Sequence, residues 1–517
     1  MSAAKITIHG AWAALEGVAA ADSELHAALS VLDPRRFFKR AFRERRWDGR
    51  VRFHSGCRFP AGLVGILADR LRGRGIEVSA RSAGGGKIEV PVDPECLRGI
   101  RLWPHQIEAV QVMLARPRGY LEEPTGSGKT AVIAAAARIF WEEKGWRSLV
   151  LTSRAGIAVQ TVDALRGFYG DEIDVGIAGD GRREDGVVTV SNAQTLMRFR
   201  PRTSQRGKRG KRGKQQHTSG DPHLRELVES ADVLFVDEAH HASSETWYEI
   251  AMACPAVRRY GLSGTPAKDD EIADRRLIAT TGSCIHRTAA TDLIDVGLAA
   301  KPKIAMVMAE CASGPSLARD VGYAEAYQRG VVGSVPHNAA VVRAVSWLVD
   351  RGRRVLVLCR KREHFVRLEQ GIRGSGVRLA SVWGATEMST RLEAKRAFSA
   401  GEVDAVLATT VWDEGEDVRG IDAIVLAEGV KVETSAVQRI GRGMRRDSAD
   451  VWVVDFVPLS HRRLAQHAMQ RCQAYENRGY EVVVVDRWPT AGAETPHDLL
   501  PFERWDDAAR DRRSAAS

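Results

Sequence analysis

The sequence predicts an α/β protein in which two parallel-sheet domains follow a small α+β domain. Three observations carry that expectation. From Ile100 onward, short apolar strands alternate with helix-forming stretches, the rhythm of βα units around a mostly parallel sheet. That rhythm runs twice through the chain, and 517 residues are too many for one core. Ahead of it lies a segment of different character, in which basic and aromatic residues interleave.

Residues 1–97 form the expected N-terminal accessory domain. Its run Arg35-Arg-Phe-Phe-Lys-Arg-Ala-Phe-Arg-Glu-Arg-Arg-Trp-Asp-Gly49 ends in a hairpin-type turn signal, followed by the alternating Arg50-Val-Arg-Phe53. Gly62 to Gly73 reads as an amphipathic helix and Ile76-Glu-Val-Ser79 as a strand. Residues 98–300 hold the first sheet, with strands at Tyr120-Leu121, Ser148–Thr152, Val187–Val190, Val233–Val236 and Arg259–Leu262. Residues 301–486 repeat the pattern at Arg354–Cys359, Arg378–Val382, Ala405–Thr409, Ala423–Leu426 and Asp450–Asp455. Residues 487–517 read as a tail rich in Pro, Ala and charge.

Composition narrows the class. An apolar fraction of 44% and a charged fraction of 27% are those of a soluble globular protein. No apolar run approaches the roughly 20 residues that span a bilayer, and no signal-peptide core opens the chain, so a cytoplasmic protein without a membrane partner is expected. The seven cysteines are scattered without a CxxC pair, which argues against a disulfide framework or a structural zinc site. The net charge of +10 is concentrated: residues 198–214 carry nine Arg and Lys and no acid, and without them only +1 remains. With its glycine-rich continuation to about residue 220, this run reads as a disordered basic insertion able to tether phosphates.

The chemistry centres on Pro124-Thr-Gly-Ser-Gly-Lys-Thr130. Here a short strand, a glycine-spaced loop and the helix former run Ala131–Ala137 follow one another. Thr125, Gly126, Ser127 and Gly128 would turn backbone N–H groups toward phosphates at a helix N-terminus. Lys129 would reach the β/γ-phosphates and Thr130 would hold Mg²⁺. The general phosphate-loop pattern asks for glycine where this chain has Glu123. Further on, an apolar strand runs into Asp237-Glu-Ala-His240, acids at the C-terminal end of a parallel strand. Asp237 is placed to coordinate Mg²⁺ and Glu238 to polarise an attacking water.

With those motifs in order, the chain resembles the superfamily 2 DEAD/DEAH-box helicases, which implies two RecA-like domains, ATP and Mg²⁺. The family's phosphate loop does not require the first glycine, which accounts for Glu123. The resemblance assigns Arg101 and Gln106 to the adenine, and Gly415 and Asp417 to the nucleotide. Ser153, Arg154, Ser191, Gln194, Gly384 and Thr409 are assigned to the nucleic-acid backbone. It makes His240, Ser263, Thr265 and Gln438 coupling residues, and Arg442 and Arg445 arginine fingers.

Arg46-Trp-Asp-Gly-Arg-Val-Arg52 and Phe59-Pro-Ala-Gly-Leu-Val-Gly65 resemble the accessory domain of phage UvsW-type helicases, whose motors are similar to XPB and RecG. The resemblance implies a phage-like DNA repair or recombination helicase acting on single-stranded and branched duplex DNA. Its substrates would be forks, four-way junctions, D-loops and R-loops with their RNA–DNA hybrid. Arg46, Trp47, Arg50 and Arg52 are the candidate accessory contacts, with burial of the aromatics in a small core as the alternative. A monomer in a bacterial or phage-infected cell is expected. The rival readings are an RNA helicase, a restriction-complex motor subunit, and a non-catalytic annealing or recombination-mediator protein.

Overall fold

The computed structural model describes residues 3–18, 23–82, 86–124, 126–199, 220–264, 270–295, 301–308, 317–318, 320–409, 420–428 and 450–485. It divides into two compact units, Met1–Thr288 and Ala289–Ser517. Among the described residues, no helix is long and apolar enough to cross a membrane.

The first unit opens with a four-stranded sheet, ordered Arg58–Pro60, Trp12–Glu16, Ala3–His9, Glu77–Ser82. The hairpin of Ala3–His9 and Trp12–Glu16 is absent from the sequence expectation; its second strand, Trp-Ala-Ala-Leu-Glu, carries no β-branched residue. Asp48-Gly49 does turn the chain, with Gly49 at φ +82°, but it does not close a local hairpin. Arg50–Arg52 pairs instead with Ser30–Leu32, far upstream. The expected helix runs Val64–Arg72 and buries Leu67, Ala68 and Leu71, one helical stripe. Leu67 and Leu71 join Ile6, Leu15, Phe53 and Phe59 in a core that extends onto Ala279 and Ile278 of the following domain. Gly62 is required there, since a Cβ would stand 1.9 Å from the Ile278 carbonyl oxygen.

That following domain is RecA-like. Its eight strands lie in the order Arg182–Glu184, Val175–Gly179, Val188–Asn192, Ser148–Thr152, Val233–Asp237, Arg258–Ser263, Arg118–Glu122, Cys284–Arg287. All neighbours are parallel except the edge pair Arg182–Glu184 with Val175–Gly179. Ser148–Thr152 and Val188–Asn192 are buried at every position, as a sheet covered on both faces demands. Helix Lys129–Lys144 buries Ala131 to Ala137 throughout, then ends at Gly145, whose φ of +66° favours glycine.

The second unit is also RecA-like, with seven strands, every described pair parallel. Their order is Leu379–Val382, Ala405–Ala408, Val355–Leu358, Ala423–Leu426, Asp450–Phe456, Lys301–Val307, Glu481–Val485. Helices Val335–Asp350 and Arg362–Gly374 share one core on one face, while Met388–Ser399 and Arg462–Glu476 share another. The protein is thus an α/β fold of tandem RecA-like sheets with an α+β accessory region.

Candidate active site

The phosphate-loop strand Arg118–Glu122 and the acidic strand Val233–Asp237 are separated by one strand, Arg258–Ser263. Register aligns Asp237 with Leu262, and Leu262 with Leu121, so the loop after Glu122 and the pair Asp237-Glu238 emerge from the same sheet edge. The loop turns through Gly126 and Gly128 at φ +91° and +79°, which favours glycine, and delivers the chain into the helix at Lys129. Gln106 is buried beneath it and donates from Nε2 to the Ser127 carbonyl at 2.8 Å. Its Oε1 accepts from the Trp103 N–H at 2.9 Å. A Cβ on Gly128 would meet Gln106 Nε2 at 2.2 Å, so the two positions are fitted to each other. Arg101 lies apart, exposed and paired with Glu95 at 3.0 Å.

Four predicted residues meet in one chain of contacts. Lys129 Nζ stands 3.6 Å from Glu238 Oε1. Glu238 Oε2 lies 3.3 Å from His240 Nδ1, which lies 3.1 Å from Ser263 Oγ. Glu238 sits at φ +52°, a left-handed conformation unusual for a glutamate, and such strain is concentrated at functional sites. Burial would push its carboxyl up, but the Lys129 ammonium and the His240 contact outweigh burial and hold it well below the usual range. Burial first, then the Glu238 carboxylate, pushes Asp237 up to about 6. Asp237 and the Thr130 hydroxyl are hard oxygen donors of the kind Mg²⁺ takes, one or two from protein with phosphates and water completing the shell. Thr125, Thr265, Gly415, Asp417, Gln438, Arg442 and Arg445 lie outside the described residues, as does most of the basic insertion.

Ser153 and exposed Arg154 follow strand Ser148–Thr152, and exposed Gln194 follows strand Val188–Asn192. Ser191 does not share that exposure: it is fully buried and its hydroxyl donates to the Ala178 carbonyl at 2.6 Å, so Gln194 fronts that strand end. In the second unit Gly384 is exposed, whereas Thr409 is 7% exposed. In the accessory region, Arg46 pairs with Glu44 and Arg52 with Asp48. Arg50 donates to Ser30 Oγ at 3.1 Å, and Trp47 Nε1 donates to the Arg50 carbonyl at 2.8 Å.

One buried carboxyl beside the loop was read in the sequence only as a missing glycine. Glu123 is fully buried, accepting from Thr288 Oγ1 at 3.0 Å, with His286 Nε2 3.4 Å away. It ties the phosphate loop to the edge strand Cys284–Arg287. Burial pushes its carboxyl from 4.5 up to about 7, against the opposing hydroxyl contacts and the Lys129 charge. A carboxyl raised in the folded state stabilises most fully below its unfolded value, and that contribution is lost as pH rises through about 7. Glu123→Gln keeps the acceptor for Thr288 and cannot ionise. It should flatten the stability–pH profile between 4.5 and 7 and raise stability at pH 8 by up to about 3 kcal/mol. Denaturant melts at pH 5 and pH 8 check this; an unchanged slope would show that Glu123 does not titrate there.

Comparisons with known proteins bear on the family of the chain. Residues 99–268 match the family "Type III restriction enzyme, res subunit", and residues 337–447 match "Helicase conserved C-terminal domain". The Saccharomyces cerevisiae protein IRC3, by name an ATP-dependent helicase, is 23% identical over 65% of this chain and 48% of its own. The ATP-dependent DNA helicase uvsW of Enterobacteria phage T4 is 21% identical over 86% of this chain and 92% of its own. The chain spans about half the length of the first curated relatives it matches. Among solved structures, the ATP-dependent Type ISP restriction-modification enzyme LlaBIII bound to DNA superposes with a TM-score of 0.56 at 12% identity. That match covers 84% of this chain and 35% of the enzyme, and it bears on fold alone. The relatives include DNA and RNA helicases without one subtype prevailing. With both family matches in sequence order and the phosphate loop facing Asp237-Glu238, this chain carries the two motor domains of a superfamily 2 helicase, an ATP-hydrolysing enzyme.

Proposed function

We propose that the protein is an ATP- and Mg²⁺-dependent DNA helicase or translocase that unwinds or branch-migrates forks, four-way junctions, D-loops and R-loops. The observation that carries the motor reading is the contact chain Lys129–Glu238–His240–Ser263 at the edge where Asp237 emerges. Lys129 would neutralise the terminal phosphates of ATP. Glu238, held ionised beside His240, would accept the proton of the attacking water. Thr130 and Asp237 would hold Mg²⁺, which supplies charge neutralisation on the phosphates when bound. The His240–Ser263 contact links this carboxylate to the neighbouring strand end, a route by which hydrolysis would reach the residues that follow Ser263. Gly415, Asp417, Gln438, Arg442 and Arg445 are assigned to the second motor domain's share of the nucleotide. Ser153, Arg154, Gln194, Gly384 and Thr409 are assigned to the nucleic-acid backbone, contacts that grip without reading bases.

DNA is favoured over RNA by one finding: the phage helicase, whose name specifies DNA, aligns across 86% of this chain and 92% of its own. The test is an ATPase and strand-displacement panel over forks, four-way junctions, R-loops, linear duplexes and RNA. Stimulation and displacement should be strongest on branched DNA. Stimulation by RNA alone would overturn the substrate assignment, and binding without turnover would overturn the motor.

A further inference from the structure

The aromatic residues of the accessory segment range from core to fully exposed, with Trp12, Phe42 and Trp47 half-buried between. Phe53 and Phe59 are 6% and 0% exposed and belong to the core. Phe37 is 59% exposed and Phe38 85% exposed, which no packing need explains. Around Phe37 an open groove of about 690 Å³ is lined by Phe42, Arg43, Arg45, Arg46 and Trp47. We infer that this groove docks an unpaired DNA strand, its bases stacking on the exposed rings and its phosphates meeting the flanking arginines.

The groove is built rather than incidental. Phe37 meets Phe42 edge to face at 5.3 Å between centroids, and Phe42 meets Trp47 likewise at 6.4 Å. Gly49 closes beneath them: a Cβ there would stand 2.7 Å from Arg36 Cδ and 3.0 Å from the Phe42 ring. The Trp47 ring is oriented by its bond to the Arg50 carbonyl. Arg45 holds a left-handed φ of +55°, one of three non-glycine residues to do so among the described residues, Glu238 being another. Arg36 stacks over Phe37 at 4.3 Å and Lys39 over Trp47 at 5.0 Å, so cations border the rings.

The occupant follows from charge and shape together. Residues 35–52 hold nine Arg and Lys against two acids. Arg43 and Arg45 make no ion pair among the described residues. Alternating aromatic faces and cations are the chemistry that binds single strands, since every base has a face to stack and every linkage a charge. A duplex offers the charge but keeps its base faces covered. This inference rests on the branched-DNA reading and deepens it, because forks and D-loops present unpaired strands.

The test uses the full chain without ATP, binding oligothymidylate, a blunt duplex and an oligonucleotide carrying 2-aminopurine. Phe37→Leu keeps apolar bulk but loses the ring; it should weaken oligothymidylate binding by about tenfold. It should leave the salt slope and blunt-duplex binding unchanged and abolish 2-aminopurine quenching. Phe37→Trp should restore both affinity and quenching. Arg43→Ala with Arg45→Ala should instead lower the salt slope, by about 0.7 per lost phosphate contact. Wild-type single-strand affinity in Phe37→Leu, or an equal loss on blunt duplex, would overturn the inference. Repeating the series in Lys129→Ala separates the readings, since a groove that binds and a motor that fails are then measured independently.

Discussion

Glu238→Gln should lower ATP turnover by about a hundredfold to ten-thousandfold while leaving nucleotide binding and folding intact. General-base removal accounts for roughly 10² to 10⁴ in rate. The substitution is isosteric, and the amide oxygen can still face His240, which stands 3.3 Å away. Its left-handed φ of +52° is no more strained for glutamine than for glutamate. Lys129→Ala should be equally inactive but should also lose affinity for ATP, because the ammonium is the loop's charge toward the phosphates. Lys129 is 12% exposed and its acceptors are Glu238 and the Glu123 carbonyl, so its removal leaves no buried hydrogen-bond donor unmet. Steady-state ATPase with binding of a fluorescent ATP analogue distinguishes the two variants. Wild-type turnover in either would refute the assignment of this site.

The two sheets were legible because their central strands are buried on both faces and therefore read as unbroken apolar runs, as in Val233–Val236 and Val355–Leu358. Glu481–Val485 escaped despite its four valines, but three others that escaped are of different kinds. Cys284–Arg287 is an edge strand, only half-buried, and its Cys-Ile-His-Arg sequence carries polar residues the edge tolerates. Val175–Gly179 is fully buried but small, with two glycines that weaken a strand signal. Lys301–Val307 begins Lys-Pro-Lys, which reads as a break. The site shows the same division. Lys129, Asp237 and Glu238 were legible because loop and strand-end chemistry is local in sequence. Glu123 was read only as a departure from the general loop pattern, since its partners Thr288 and His286 lie over 160 residues away. Ser191 was assigned by the motif resemblance alone, whereas its hydroxyl donates to the Ala178 carbonyl of the neighbouring strand.

Arg471→Ala should destabilise the second unit by about 3 to 5 kcal/mol, an effect as large as the catalytic one but reached through the fold. Arg471 and Asp455 are each 1% exposed and form a two-pronged pair, Nε to Oδ2 at 2.7 Å and Nη2 to Oδ1 at 2.9 Å. Tyr475 donates its hydroxyl to Asp455 Oδ2 at 2.9 Å, and the Phe456 N–H donates to Oδ1 at 2.8 Å. Arg471 and Tyr475 stand one helical turn apart on Arg462–Glu476, so the three side chains lock that helix to the end of strand Asp450–Phe456. Removing the guanidinium leaves a buried carboxylate short of its charge partner. Replacing both, as Arg471→Met with Asp455→Leu, removes that penalty and should recover a large part of the loss, since a buried ion pair and an apolar pair of similar volume are close in stability. A domain is stable by only about 5 to 15 kcal/mol, so the single variant should unfold its unit at markedly lower urea while the first unit's transition stays in place. Two-step urea melts, followed by limited proteolysis, read the units separately. A single variant within about 1 kcal/mol of wild type would show that the pair does not hold the helix to the sheet.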